Sequence, residues 1–433
     1  MTDSFIPFDD MRRRLEGAIA GLGAEAVPDG IGRLYLVRDL FGRVRISASD
    51  AFEENRHVRS ALERLAAALS EALGARGYPA DEGVLFVGDG LLETLDDTAQ
   101  EIRSRVFLAD RLVTGRGWWT VGEADEDAAR SRITLYSVKG GVGRSTTAAV
   151  LAWHLSRKGE RVLAVDMDLE SPGLSSAMLE TERRPKFGLA DWFVEDLVGQ
   201  GDLVVDDMLA APAWAQIFEG DVRVAPAHGR DPGEYLAKLG RVYMDTADES
   251  WTGRLERVLT TLESSFRPTV VLLESRNGLH DIAAASVTDL NAEVLLFATD
   301  SESTWTDYGI LFRHWRERDL AERIRERVSV VSALTPVPDR EEYVRSFRAQ
   351  AWDLFRDHLF DEVDATGDPV GDFSFDLDEK NAPHDPLEIG WNLGFAAGAS
   401  LQDLDEETID SAYGKFLKSF DERVHVSGEE DEP

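Results

Sequence analysis

Eight consecutive residues, Lys139-Gly140-Gly141-Val142-Gly143-Arg144-Ser145-Thr146, carry the most specific chemistry in this chain. They follow an apolar run, Ile133 to Val138, and lead into a segment of helical pattern opened by hydroxyl residues. Glycines in such a turn let backbone N–H groups converge on one point, and the N-terminus of the following helix adds positive potential. That arrangement suits a phosphate group. Two positions depart from the G-x-x-x-x-G-K-[ST] pattern: Val138 stands at the first glycine and Arg144 at the lysine. Arginine keeps the charge but is larger and planar, and it can grip phosphate oxygens through two parallel hydrogen bonds. The substitution is compatible with binding and slow turnover, and equally with tight holding and little hydrolysis.

Carboxylates follow at the ends of two further apolar runs. Arg161 to Val165 ends in Asp166-Met167-Asp168, followed by Leu169-Glu170-Ser171-Pro172-Gly173. Alternate residues on a strand share one face, so both aspartates can point to the same end of a sheet. Val270 to Leu273 ends in Glu274, followed by Ser275-Arg276-Asn277-Gly278. Arg276 fits a structural salt bridge and a phosphate sensor equally well. His384, in Pro383-His384-Asp385-Pro386, reads as a turn residue, and no H-x-x-H or H-E-x-x-H spacing supports a metal site of that kind.

The apolar strand, the glycine loop and the two hydroxyls together resemble the deviant Walker A motif, K-G-G-x-G-K-[ST], of the ParA/MinD family of P-loop ATPases, in its KGGVGR-motif variant branch. The resemblance spans Ile133 to Phe420. It implies ATP and Mg²⁺ as cofactors, with Lys139, Gly140, Gly141, Val142, Gly143, Arg144, Ser145 and Thr146 around the nucleotide. It also implies that Lys139 reaches across an ATP-sandwich homodimer to the partner's phosphates and that Asp168 orients the attacking water. These two are the catalytic candidates. Ser145, Asp166 and Glu274 are the metal candidates, Asp166 acting through the ion's water shell. The family's usual residue at Glu274 is Asp; the longer side chain can still hold a metal-bound water, with a different reach. Val224-Ala225-Pro226-Ala227 resembles the family strand that ends in a proline, and Pro383 to Pro386 the late loop near the base-binding end.

The elements needed to hold these residues follow from periodicity. From Arg132 onward, short apolar runs alternate with helix-length segments: Ile133 to Val138, Arg161 to Val165, Val222 to Ala225, Val270 to Leu273, Val294 to Ala298 and Val328 to Val331. This predicts an α/β fold, a mostly parallel sheet flanked by helices. Before it, a small α+β domain is expected. Arg33 to Arg38 and Arg43 to Ser47 read as strands around a turn, Val84 to Val87 and Val106 to Leu108 as further strands. Val58, Leu62, Leu65, Leu69 and Leu73 mark a helix. The expected domains are residues 1–121, a linker at 122–131, the ATPase domain at 132–420 and an acidic tail at 421–433. Val363 to Pro386, rich in Asp, Gly and Pro, is expected to be a surface loop.

Composition narrows the roles. Against 47 Lys and Arg stand 82 Asp and Glu, a formal charge of −35 over 433 residues. That charge disfavours general DNA binding and binding to anionic membranes. The absence of cysteine excludes thiolate metal sites and the cysteine-bridged relatives of the family. No signal-peptide layout or membrane span is evident, so a cytoplasmic protein is expected. Two functions fit. One is an ATP-binding, slowly hydrolysing, nucleotide-switched dimer that acts on a protein partner. The other is a non-hydrolysing ATP sensor or scaffold in a multi-protein bacterial system. Lys139, Asp166 and Asp168 favour the first; Arg144 and Glu274 favour the second.

Overall fold

A computed structural model of the chain describes residues 6–122, 131–361, 371, 373–396 and 406–424. The chain divides into two compact units at Thr120/Val121.

Unit 1 is built on a mixed five-stranded sheet: β1 (Leu34–Arg38), β2 (Val44–Ser49), β3 (Val84–Val87), β4 (Gln100–Arg103) and β5 (Val106–Asp110), in the order β3-β2-β1-β5-β4. β1 and β2 form the antiparallel pair around the Leu40-Phe41-Gly42 turn, and β5 lies parallel to β1. Helix Arg56–Leu73 buries its 58/62/65/69/73 stripe against one face of the sheet. It starts where the Asn55 side chain accepts from His57 N and Val58 N, and it stops at Gly74, whose φ is 52°. Helix Met11–Leu22 shares this core through Met11, Leu15 and Ile19. Neither it nor β4 was expected from the sequence. Two glycines and an Arg12-Arg13-Arg14 run dilute the helix signal, and β4 (Gln-Glu-Ile-Arg) carries one apolar residue.

Unit 2 carries a seven-stranded sheet in which every pairing is parallel: β6 (Ser131–Tyr136), β7 (Arg161–Asp166), β8 (Asp221–Ala225), β9 (Val270–Glu274), β10 (Glu293–Ala298), β11 (Val328–Thr335) and β12 (Leu387–Gly390), in the order β12-β11-β10-β6-β9-β7-β8. The continuous apolar runs are explained by burial on both faces. Ile133, Leu135, Val162 and Ala164 face helices Arg144–Arg157 and Glu406–Arg423, while Leu163, Val165, Val271 and Leu273 face helix Trp251–Phe266.

In unit 2 the sequence expectations also differ from the structure. β12 was not expected, because four residues with one carboxylate make no run. In the described part of the expected 363–386 surface loop, residues 376–381 are exposed as expected, but Phe373 and Phe375 pack on Phe360, and His384 is fully buried with Nε2 3.2 Å from the Leu377 carbonyl. Its Asp, Gly and Pro content concealed an aromatic cluster. Helix Glu406–Arg423 runs past Phe420, and Asp421 pairs with His154 and Lys158, each at 3.0 Å. Residues 123–130 of the expected linker, 363–370 and 372 of the loop and 425–433 of the expected tail lie outside the described residues. No helix among the described residues is long and apolar enough to cross a membrane.

Candidate functional site

In an open parallel sheet the carboxyl ends of the strands face a crevice where the strand order reverses. Here that point is the end of β6, with β9 on one side and β10 on the other. The glycine loop leaves β6 at this edge. Gly141 and Gly143 adopt φ of 75° and 82°, the left-handed region that favours glycine, and Gly143 caps helix Arg144–Arg157. At Gly140 the loop passes close to Asn277, where a Cβ would lie 2.5 Å from Nδ2 and require that side chain to move. Ser137 anchors the loop, donating its hydroxyl to the Lys139 carbonyl at 2.6 Å and accepting Gly278 N on its own carbonyl at 3.0 Å.

Strand register brings in the carboxylates. Asp166 of β7 sits opposite Glu274 of β9, and Glu274 opposite Leu135 of β6. Asp166 is fully buried; its oxygens accept Asp168 N and Leu174 N, each at 3.2 Å. Burial, with Glu274 and Asp168 close by, pushes its carboxyl well above the usual range. Burial also raises Asp168, against the pull of Arg144. Glu274 is pushed up to about 7 by burial, opposed by the Ser145 hydrogen bond and by Arg144.

Arg144 is buried and turned toward this acidic group. Nη1 donates to Ser137 Oγ, and Nη2 lies 3.6 Å from Asp168 Oδ2. Ser145 Oγ donates to Glu274 Oε1, while Glu274 Oε2 is buried without a hydrogen-bond partner. An unpaired buried carboxylate oxygen is costly unless another ligand completes it. Lys139 Nζ pairs with Asp307 Oδ2 of helix Glu302–Glu317 at 2.5 Å. Arg276 Nη1 donates to Glu170 Oε1 at 2.9 Å, and Tyr243 OH to the same oxygen at 2.8 Å. Of the two readings of Arg276, the structure displays the salt bridge. It ties the turn after β7 to the turn after β9.

A cleft of about 430 Å³ opens at this edge. Gly141 to Thr146 and Glu274 line one end; Leu334, Gly390, Trp391, Asn392, Phe395 and Tyr413 line the other. Lys139, Gly140, Asp166 and Asp168 do not line it. Asp166 and Asp168 are buried beside Glu274 and Arg144, and Lys139 is drawn to Asp307. The far wall comes from residues just after the Pro383 to Pro386 loop. Tyr413 holds that wall to the helix, its hydroxyl 3.3 Å from Thr147 Oγ1, and Phe395 meets its ring edge-on at 5.0 Å. The sequence reading missed Gly173 as well. A Cβ there would lie 2.5 Å from Ser145 Oγ and 3.3 Å from Ser145 Cβ. The signal was available in a Pro-Gly pair following the D-x-D.

Among the described residues, no group of three or more His, Asp or Glu could hold a metal ion unaided. The Ser145 hydroxyl and the unpaired Glu274 Oε2 suit a cation that takes most of its ligands from water and phosphate oxygens, as Mg²⁺ does.

Residues 133–351 match the model of the CobQ/CobB/MinD/ParA nucleotide binding domain. The chain belongs to that family. Two curated proteins of related sequence are the chromosome-partitioning ATPase Soj of Thermus thermophilus and an iron–sulfur cluster carrier protein of Pseudomonas fragi. Soj is 48% identical over 96 residues, 22% of this chain and 37% of Soj. The carrier is 45% identical over 64 residues, 14% of this chain and 22% of the carrier. The chain therefore matches well under half the length of either relative. Similar solved structures include pNOB8 ParA bound to nonspecific DNA, at 15% identity and a TM-score of 0.45, covering 68% of this chain and 97% of that one. The cell division ATPase MinD of Pyrococcus furiosus is 21% identical with a TM-score of 0.40, covering 67% and 98%. In this CobQ/CobB/MinD/ParA protein the nucleotide-binding domain lies in unit 2, and the match opens within β6.

Proposed function

We propose that unit 2 binds ATP with Mg²⁺ in the cleft at the end of β6 and hydrolyses it slowly, and that ATP joins two copies of the chain into a switch acting on a protein partner. The observation that carries this reading is the pairing of the glycine loop with Ser145 and a Glu274 oxygen left unsatisfied. Backbone N–H groups from Gly141 to Thr146 would receive phosphate oxygens. Arg144 would exchange Ser137 and Asp168 for phosphate, leaving the Asp168 carboxylate to orient a water. Mg²⁺, held by Ser145 and Glu274 with Asp166 beside them, supplies neutralisation of phosphate charge when bound. Lys139 would leave Asp307 for the nucleotide of the second copy. The charge of −35 continues to favour a protein partner over DNA or an anionic membrane.

A second reading, a non-hydrolysing ATP sensor, draws on the Arg144–Asp168 contact: a carboxylate neutralised by a buried arginine is a poor water-orienting group. Phosphate release by the full chain, compared with Lys139→Ala and Asp168→Ala, separates the two. Turnover that disappears in Asp168→Ala while ATP binding persists supports the ATPase. Absence of turnover with ATP-driven dimerisation in light scattering supports the sensor. Failure to bind ATP removes both.

A further inference from the structure

Unit 1 differs chemically from the rest of the chain. Its fifteen arginines, with no lysine, stand against twenty Asp and Glu, so it contributes only −5 of the total −35. Four of these arginines surround the β1–β2 turn. Arg38 and Arg76 lie over the Phe8 ring, with Cζ 4.2 and 5.8 Å from its centre; Arg43 and Arg45 lie over Tyr78, at 4.3 and 5.1 Å. The alternation of β2 sends Arg43 and Arg45 to the face opposite the core residues Val44 and Ile46. A guanidinium resting on a ring is held in place; the Nε atoms of Arg43 and Arg45 are buried without a hydrogen-bond partner, so it is the outer Nη atoms that a fork-shaped partner would meet.

Two nearby carboxylates, Asp110 and Asp39, are already committed. Asp110 binds Arg38 through two hydrogen bonds of 2.5 and 2.8 Å. Asp39 accepts Phe41 N, Arg43 N and Tyr78 OH at 2.9, 2.8 and 2.7 Å, with Arg43 Nε 3.7 Å away. Arg45 and Arg76 have no carboxylate partner among the described residues. Leu40 and Phe41 project at the turn, 60% and 81% exposed.

We propose that this turn is a docking surface for an acidic peptide segment of a protein partner, one that sets aliphatic or aromatic side chains between its carboxylates. A carboxylate matches the guanidinium fork with two hydrogen bonds, and Leu40 and Phe41 require an apolar complement. Single-stranded nucleic acid fits less well. Phe8 and Tyr78 are occupied by arginines and so are less available for stacking bases, and two unmatched cations are few for a polyanion whose affinity grows with each phosphate neutralised. The surface lies wholly in unit 1, so its failure would leave the nucleotide reading untouched.

The test titrates the full chain against three fluorescein-labelled probes, read by anisotropy: a short peptide alternating Glu and Asp with Leu and Phe, its Gln/Asn counterpart, and oligothymidine. The acidic peptide is expected to bind about tenfold more tightly than the amide peptide and to weaken as salt rises. The double variant Arg45→Gln/Arg76→Gln is expected to lose about tenfold in affinity, and the exposed Phe41→Ser several-fold, with unchanged thermal unfolding. The proposal is overturned if the acidic peptide does not bind, if it binds no better than the amide peptide, or if the variants bind it like wild type. Tighter binding of oligothymidine through Arg45 and Arg76 overturns it too, and makes the turn a nucleic-acid surface.

Discussion

The two ends of the cleft are built on different plans. The loop end is one contiguous stretch, Gly141 to Thr146, closed by Glu274 from a neighbouring strand. It is polar and dense with charge, and two of its glycines hold backbone angles that favour glycine. The far end is assembled from the end of β11, the segment after β12 and helix Glu406–Arg423, which meet only in the folded chain. It is mostly apolar, and Trp391 remains 45% exposed. A phosphate is recognised by converging N–H groups, which a local turn can supply. A planar base needs walls, and walls require tertiary structure. The chemistry should therefore depend on the loop end, and the far end should adjust affinity.

The largest expected effect tests the loop end. Asp168→Ala should lower phosphate release by about 10²–10⁴-fold, the usual range for a positioned acid or base, with ATP affinity on calorimetry little changed. A variant that hydrolyses ATP like wild type would break the assignment. Next comes Gly173→Ala, whose new Cβ meets Ser145. Overpacking of this kind costs about 1–3 kcal/mol of folding stability, and relieving it moves the Ser145 hydroxyl, so Mg²⁺-dependent ATP affinity should fall by about tenfold or more. At the far end, Trp391→Ala should weaken ATP and ADP alike by about five- to tenfold, within the 1–3 kcal/mol measured for stacking on a base. A larger loss there than in the Gly173 variant would reverse the comparison.

Much of the loop end was legible in the sequence, and the reason is physical. Positive-φ glycines, a helix opened by hydroxyls and carboxylates at strand ends are each dictated locally, so the loop and the strand-end acids stood out by position, while the roles given to Arg144, Ser145, Asp166, Asp168 and Glu274 came from the resemblance to the ParA/MinD family. The parallel sheet was legible for a similar reason, since strands buried on both faces must be apolar throughout. What could not be read was set by contacts between distant segments. β12 is too short to show a period, His384 is buried at the end of an Asp-rich stretch that is otherwise largely exposed, and Trp391 acquires its place only through pairing of β12 with β11. The partners of Arg144 and Lys139 were equally hidden. Sequence shows a cation at the loop but not which carboxylate it rests against.

Two smaller effects sharpen the comparison further. Glu274, raised to about 7 from an ordinary 4.5, keeps its proton in the folded state after the unfolded chain has lost it. The nucleotide-free protein should therefore lose stability as pH rises from about 4.5 to about 7. Glu274→Gln should flatten that slope, shifting the melting temperature near neutrality upward by a few degrees, on the order of 1 kcal/mol. A residual slope of the same sign is expected from the other carboxyls that burial raises, Asp166, Asp168, Glu293 and Asp289, the last pushed up to about 7. The smallest effect belongs to Asp307→Ala. Its pair with Lys139 is well exposed, so stability should change by less than about 1 kcal/mol in chemical denaturation.

The most direct measurement is a calorimetric titration of the full chain with a non-hydrolysable ATP analogue, with Mg²⁺ and with a chelator, repeated on Ser145→Ala. One nucleotide should bind per chain, and either removing Mg²⁺ or removing the Ser145 hydroxyl should weaken it by about tenfold or more. No saturable binding, or binding indifferent to both changes, would contradict the assignment of this cleft.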